Sequence, residues 1–129
     1  MDLQKQGRSI PETGQMITDL TYLKNITNDD PHLIREMINI FARQIEEYTH
    51  DIKEIYQDAR WMDLSRLAHK AKSSLAIMGM NELSDRMKEL ELLAGEGREP
   101  GRYYEYINRF IRESNQAVKE LKKKENYNT

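Results

Sequence analysis

From Pro31 onward, apolar residues recur at alternating intervals of four and three: Ile34, Ile38, Phe41, Ile45, Tyr48, Ile52, Ile55 and Ala59. That is the seam of one long amphipathic helix over about residues 31–59. Asp30 marks its start, because a carboxylate there accepts from free amides and Pro31 fits the first helical position. A second seam, Leu64, Leu67, Ala68, Ala71, Leu75 and Met78, predicts a helix capped by Asp63 and ended at Gly79. Asn81 restarts the chain, and Leu83, Met87, Leu90 and Ala94 form a third seam that stops in the glycine-rich loop 95–101. Tyr103, Ile107, Phe110, Ser114, Ala117 or Val118, and Leu121 make a fourth, from about Arg102 to Lys122. Ahead of these, Thr18 or Asp19 can cap a short helix through about Ile26, with Leu20, Tyr22 and Leu23 facing inward. No segment alternates as a strand does, and no repeat has solenoid length. The prediction is all-α: an antiparallel up-and-down four-helix bundle with a short extra N-terminal helix. Residues 18–122 form the bundle and residues 123–129 a frayed tail. Residues 1–17, with Gly7, Pro11 and Gly14, read as a flexible arm whose Ile10, Met16 and Ile17 can dock on the body.

A chain of 129 residues suffices for one core and not for two catalytic domains. The absence of cysteine excludes a disulfide framework, a thiolate nucleophile and a zinc–thiolate site. No apolar run is long enough for a membrane span, and residues 1–7 lack the apolar core of a signal peptide, so a soluble, cytoplasmic protein is expected. Lys and Arg total 20 against 22 Asp and Glu, a net charge of -2 with no global field to attract nucleic acid. The near-neutral total hides an asymmetry, however: between Arg60 and Ser74 stand four basic residues, Arg60, Arg66, Lys70 and Lys72, against the single acid Asp63. With no aromatic platform beside it, that patch does not suit nucleic acid either.

Apart from carboxylates, three histidines are the candidates for acid, base or nucleophile near neutral pH. His32 falls in the first turn of the long helix, where the helix N-terminus disfavours an imidazolium, and reads as structural or solvated. Glu47 and His50 have the Glu-x-x-His spacing of di-iron bundles, but such a site needs the motif twice with two more inward carboxylates. Both residues also fall off the apolar seam, so no metal site is expected. His69 differs: on a helical wheel it points about 150° away from the mean direction of its helix's apolar residues, toward solvent. Ser65, Ser73 and Ala76 beside it are small, and Arg66 and Lys72 flank it. The bland reading is a solvated surface histidine. The sharper one is a nucleophile toward a phosphoryl group activated elsewhere, with Lys72 one turn along to offset the charge it would carry. The chain has no Gly-rich phosphate loop, no Walker Lys-Ser/Thr and no Ser or Cys nucleophile in motif spacing. An enzyme with its own ATP site is therefore not expected.

Leu67, Ala68, His69, Lys70, Ala71, Lys72, Ser73 and Ser74, with Gly79 ten residues after the histidine, resemble the signature of histidine-containing phosphotransfer (HPt) domains, roughly Ala-His-x-Leu-Lys-Gly-Ser. Asp30 and Pro31, Phe41, the run Ala59, Arg60, Trp61, and then Glu82, Leu83, Leu90 and Glu91 fall in family order, over about 105 residues from Thr18 to Leu121. The resemblance implies a four-helix bundle with His69 exposed midway along one helix and phosphorylated on Nε2. The phosphoryl group would come from a phosphoaspartate on one response-regulator receiver domain and pass to another, within a relay fed by a hybrid sensor histidine kinase. It implies that Lys72 supports the phosphoryl group and that Gly79 is the family's turn glycine. The receiver would bring the Mg²⁺ and acidic pocket, so the chain would be a phosphotransfer intermediate with no cofactor of its own, a monomer without membrane insertion. Docking is expected on Ser65, Arg66, Lys70, Ser73, Ala76 and Gly79, joined by Leu20 and Leu23 of the short helix. Apolar residues elsewhere, including the seven methionines and Trp61, read as core. Three positions depart from the pattern: Ala71 stands for Leu, Ser73 for Gly, and Arg60 for an acidic residue. Ser73 is small enough to keep the site open while altering which receivers fit. The alternative is a helical adaptor that binds a signalling partner with His69 inert. A sensor-kinase phosphoacceptor region fits less well, since it is usually a two-helix hairpin joined to an ATP-binding domain.

Overall fold

The computed structural model describes residues 16–127, with side chains through residue 123; residues 1–15, including Ile10 and most of the expected arm, lie outside the described residues. The helices are α1 (Thr21–Ile26), α2 (Pro31–Gln57), α3 (Trp61–Ile77), α4 (Asn81–Gly95) and α5 (Tyr103–Tyr127), with a 3₁₀ turn at Pro100–Arg102. No strand occurs among the described residues. α3 packs most extensively on α4, α2 touches α3 and α5, and α4 also touches α5. The four seams meet in one core that includes Phe41, Ile45, Ile52, Leu64, Leu75, Met87, Leu90, Phe110 and Leu121.

The start of α2 is as the sequence implies: Asp30 Oδ1 accepts from the His32 amide at 2.9 Å, with Pro31 in the first turn. α3 starts earlier than expected, at Trp61. Asp63, the expected cap, lies inside its first turn and pairs instead with Arg60 and Arg66, each at 2.9 Å. α5 runs on to Tyr127, beyond the predicted end at Lys122. Tyr103, fully buried, closes the preceding loop by donating its hydroxyl to the carbonyls of Leu93 and Arg98.

Four helix ends share one device. After α1, α2, α3 and α4, a residue with positive φ lets the next amide reach back five residues: Asp29 to Lys24, Arg60 to Ile55, Met80 to Leu75 and Arg98 to Leu93. The left-handed positions are Asn28, Ala59, Gly79 and Gly97. This is the Schellman geometry, which satisfies terminal carbonyls and favours Gly or Asn. Ala59 is the exception. Expected on the inner face of α2, it is an exposed turn residue with φ +53°.

Gly79 carries a second constraint. A Cβ there would lie 2.3 Å from the Asp19 carbonyl oxygen and 2.8 Å from its nitrogen, because the segment before α1 crosses the end of α3. Asp19 donates its amide to the Met78 carbonyl at 2.9 Å. The same segment is tied to α5, where the Glu120 carboxylate accepts from the amides of Ile17 and Thr18 and from the Thr18 hydroxyl. α1 is thereby held against α3, with Leu20 and Leu23 buried and Tyr22, expected to face inward, 54% exposed. Of the methionines expected in the core, Met16 and Met62 are exposed.

Candidate functional site

His69 stands near the middle of α3, between the buried Ala68 and Ala71, and its side chain is 62% exposed. Its ring is not simply solvated. Nδ1 lies 2.8 Å from Oε2 of Glu91 on α4, and the other Glu91 oxygen accepts from Lys72 Nζ at 2.8 Å. A carboxylate only accepts, so the contact places the hydrogen on Nδ1; in the neutral ring Nε2 then holds the lone pair.

The helix pair is built to deliver Glu91 to that place. The Ser65 hydroxyl donates to the Glu91 carbonyl at 2.7 Å, and the Ser84 hydroxyl donates to the Lys72 carbonyl at 2.8 Å, so two cross-bonds set the register of α4 on α3. Gly95 permits the close approach, since a Cβ there would stand 3.1 Å from Ser65 Oγ. Burial of the Glu91 carboxyl pushes its pKa up, but the hydrogen bonds and charges of Lys72 and His69 outweigh this and hold it below the usual carboxylate value. Glu91 is therefore an anion at neutral pH. It fixes the ring's tautomer and orientation and keeps a negative charge beside any positive charge that develops on the imidazole.

The structure divides the predicted docking residues. Ser73, Ala76 and Gly79 line one groove of about 680 Å³, whose opposite wall is Asp19, Thr21 and Tyr22 at the start of α1. Ser65 is half-buried and turned to α4, and Lys70 lies over the Tyr48 ring on the α2 side. Leu20 and Leu23 are core residues, so they cannot serve as a docking surface; a six-residue helix must bury its one apolar face to stay attached. Tyr22 and Ile26 are the apolar residues that α1 leaves exposed.

The basic patch is also reduced. Arg60 and Arg66 pair with Asp63, Arg60 also lies near Asp58, and Lys72 is paired with Glu91. Sequence reasoning missed Glu91 as a site residue. It stands one position after the seam residue Leu90, and nothing local separates it from Glu82 or Glu89. Glu47, His50 and His32, set aside as ligands on sequence grounds, are all exposed.

The profile of the Hpt domain matches residues 36–124, well over half of the chain. The chain belongs to the Hpt family. The matched region runs from the first turns of this Hpt domain's α2 through all of α3 and α4 and most of α5, so it contains His69, Lys72 and Glu91. No match was found among curated proteins or among solved structures. Hpt domains act in histidine phosphotransfer within phosphorelays and interact with receiver domains. Among the described residues of this Hpt domain, no helix is long and apolar enough to cross a membrane.

Proposed function

We propose that this Hpt domain accepts a phosphoryl group on Nε2 of His69 from the phosphoaspartate of a receiver domain and passes it to the aspartate of a second receiver. The observation that carries this reading is the 2.8 Å contact between Nδ1 and Glu91, which leaves Nε2 as the nucleophilic nitrogen of an exposed ring on a rigid helix. In the accepting step the Nε2 lone pair forms the N–P bond as the acyl-phosphate O–P bond breaks, and the aspartate leaves as a carboxylate. The Nδ1 proton stays on the ring, and the positive charge acquired there faces Glu91. The return step reverses each of these changes, and the imidazole leaves as the neutral Nδ1–H tautomer.

The receiver supplies Mg²⁺ and an acidic pocket; this chain supplies orientation. Lys72, within one turn of His69, is the cation for the transferred phosphoryl group. The groove formed by Ser73, Ala76 and Gly79 against α1, with the exposed Arg66 beside His69, is the receiver-facing surface in this reading. We read the four long helices as an antiparallel bundle; the cross-bonds from Ser65 to Glu91 and from Ser84 to Lys72 support this for α3 and α4. The upstream source is the receiver of a hybrid sensor histidine kinase.

Incubation with a phosphorylated receiver and Mg²⁺ tests the reading. Wild-type protein is expected to gain an acid-labile, base-stable phosphate and His69→Gln none. Equal labelling of His69→Gln would overturn the assignment.

A further inference from the structure

Within the reading of His69 as phosphoacceptor, the surroundings of its ring are unequal on its two sides. At about 100° per residue, Lys72 lies about 60° to one side of His69 on the helical wheel and Ser73 about 40° to the other. The Lys72 side is the α4 side, where Glu91 engages both Lys72 and Nδ1. The Ser73 side opens into the groove against α1. The two ring nitrogens point in widely divergent directions. With Nδ1 turned to α4, a phosphoryl group on Nε2 is carried on the side of the ring away from α4, where Ser73 stands.

The Ser73 hydroxyl is the one serine hydroxyl on α3 and α4 that is left unengaged. Ser65 and Ser84 bond across the α3–α4 seam, and Ser74 donates to Gln44 of α2. Thr27 and Thr49 show the usual alternative for a helical hydroxyl, donating to the carbonyl four residues back. The Ser73 hydroxyl makes no hydrogen bond among the described residues, and the residue is exposed. Residues four apart on a helix have Cβ atoms about 5–6 Å from each other, so Ser73 stands one turn beyond His69 on the same face.

We propose that the Ser73 hydroxyl donates a hydrogen bond to a phosphoryl oxygen on phosphorylated His69, and that it lengthens the life of the phosphohistidine. A donor on an anionic phosphoryl oxygen is charge-assisted. It is worth more in the phosphoramidate ground state than in the loose, metaphosphate-like transition state, where the oxygens return charge to phosphorus. Lys72 begins its part in the cycle paired to Glu91, whereas the Ser73 hydroxyl has no protein partner to give up.

The experiment loads His69 chemically, with phosphoramidate as donor: its P–N bond breaks, the bond from phosphorus to Nε2 forms, and ammonia leaves. Wild type, Ser73→Ala and Ser73→Thr are loaded, freed of excess reagent, and followed by ³¹P NMR, with His69→Gln as the blank that assigns the resonance. Circular dichroism checks that each variant keeps its helices. Ser73→Ala is expected to decay about three to ten times faster than wild type, and Ser73→Thr, which keeps the hydroxyl, at the wild-type rate. Decay of Ser73→Ala at or below the wild-type rate would overturn the proposal, and so would Ser73→Thr decaying as fast as Ser73→Ala. A parallel arm adds Mg²⁺-loaded receivers to the phosphorylated wild type. Failure to transfer to any receiver would reject the relay reading, while the lifetimes still judge Ser73.

Discussion

Replacing Gly79 by Ala tests whether the turn after α3 pins the segment leading into α1. The change adds one methyl group and meets two obstacles. The first is φ at +77°, where an L-residue loses about 1–2 kcal/mol relative to glycine. The second is steric: the new Cβ would lie 2.3 Å from the Asp19 oxygen, 2.7 Å from its Cβ and 2.8 Å from its nitrogen, backbone that cannot rotate aside. Overpacking of this kind costs about 1–3 kcal/mol. Pushing Asp19 away also stretches its 2.9 Å bond to the Met78 carbonyl, worth about 1 kcal/mol net. The expected loss is about 3–6 kcal/mol, a large fraction of the roughly 5–15 kcal/mol that holds a domain of this kind.

Gly97 supplies the control. It has φ +65° at the equivalent position after α4, but a Cβ there would meet nothing within 4 Å. Gly97→Ala should therefore lose only the conformational part, about 1–2 kcal/mol. Urea unfolding followed by circular dichroism reads both. With a slope of about 1.5 kcal/mol per molar, the Gly79→Ala midpoint should fall by about 2–4 M and that of Gly97→Ala by about 1 M. If the two variants lose equal stability, the approach of Asp19 to Gly79 has no energetic weight and α1 is not held in the way described.

Ala59→Gly should stabilise the protein by about 1 kcal/mol, since alanine occupies the left-handed position after α2 and is exposed; a thermal midpoint at or below wild type would refute this. Glu91→Gln should slow phosphotransfer by at least about tenfold, because a neutral amide neither enforces the Nδ1–H tautomer nor faces the ring's charge; the loss stays smaller than in a buried triad because the ring is exposed. A wild-type rate would show that Glu91 has no part in the transfer. The same substitution should alter acid stability. Glu91 titrates below its unfolded value of 4.5 in the folded protein, so its contribution is complete above that pH and is lost as the pH falls below it. The variant should start less stable at neutral pH and lose less on acidification, which unfolding measured across that range will show.

The helices were legible because their cause is local. Each seam is a repeat of apolar residues at helical spacing, so the sequence alone placed Phe41, Leu67, Met87 and Phe110 inside and His69 outside. Asp30 with Pro31 specified the start of α2 in the same way, through groups within one turn of each other. Ala59 was misread for a related reason: it continues the apolar spacing, and alanine gives no sign of the left-handed geometry that ends α2 two residues earlier. What lay beyond the sequence is what comes from across the bundle. A helical wheel relates a residue to neighbours three and four positions away, whereas Glu91 reaches His69 from 22 positions along the chain. That approach depends on the Ser65 and Ser84 cross-bonds, which exist only once α3 and α4 have packed. Packing buried Leu20 and Leu23, as their inward spacing predicts and against the docking role the resemblance suggested for them, and it moved Glu91 next to Lys72, neutralising part of a patch that reads as basic along the chain. The sequence thus determined that His69 stands on the outer face of its helix; the tertiary structure decided which of its nitrogens faces a carboxylate, because charge and hydrogen-bond partners act through space and not along the chain.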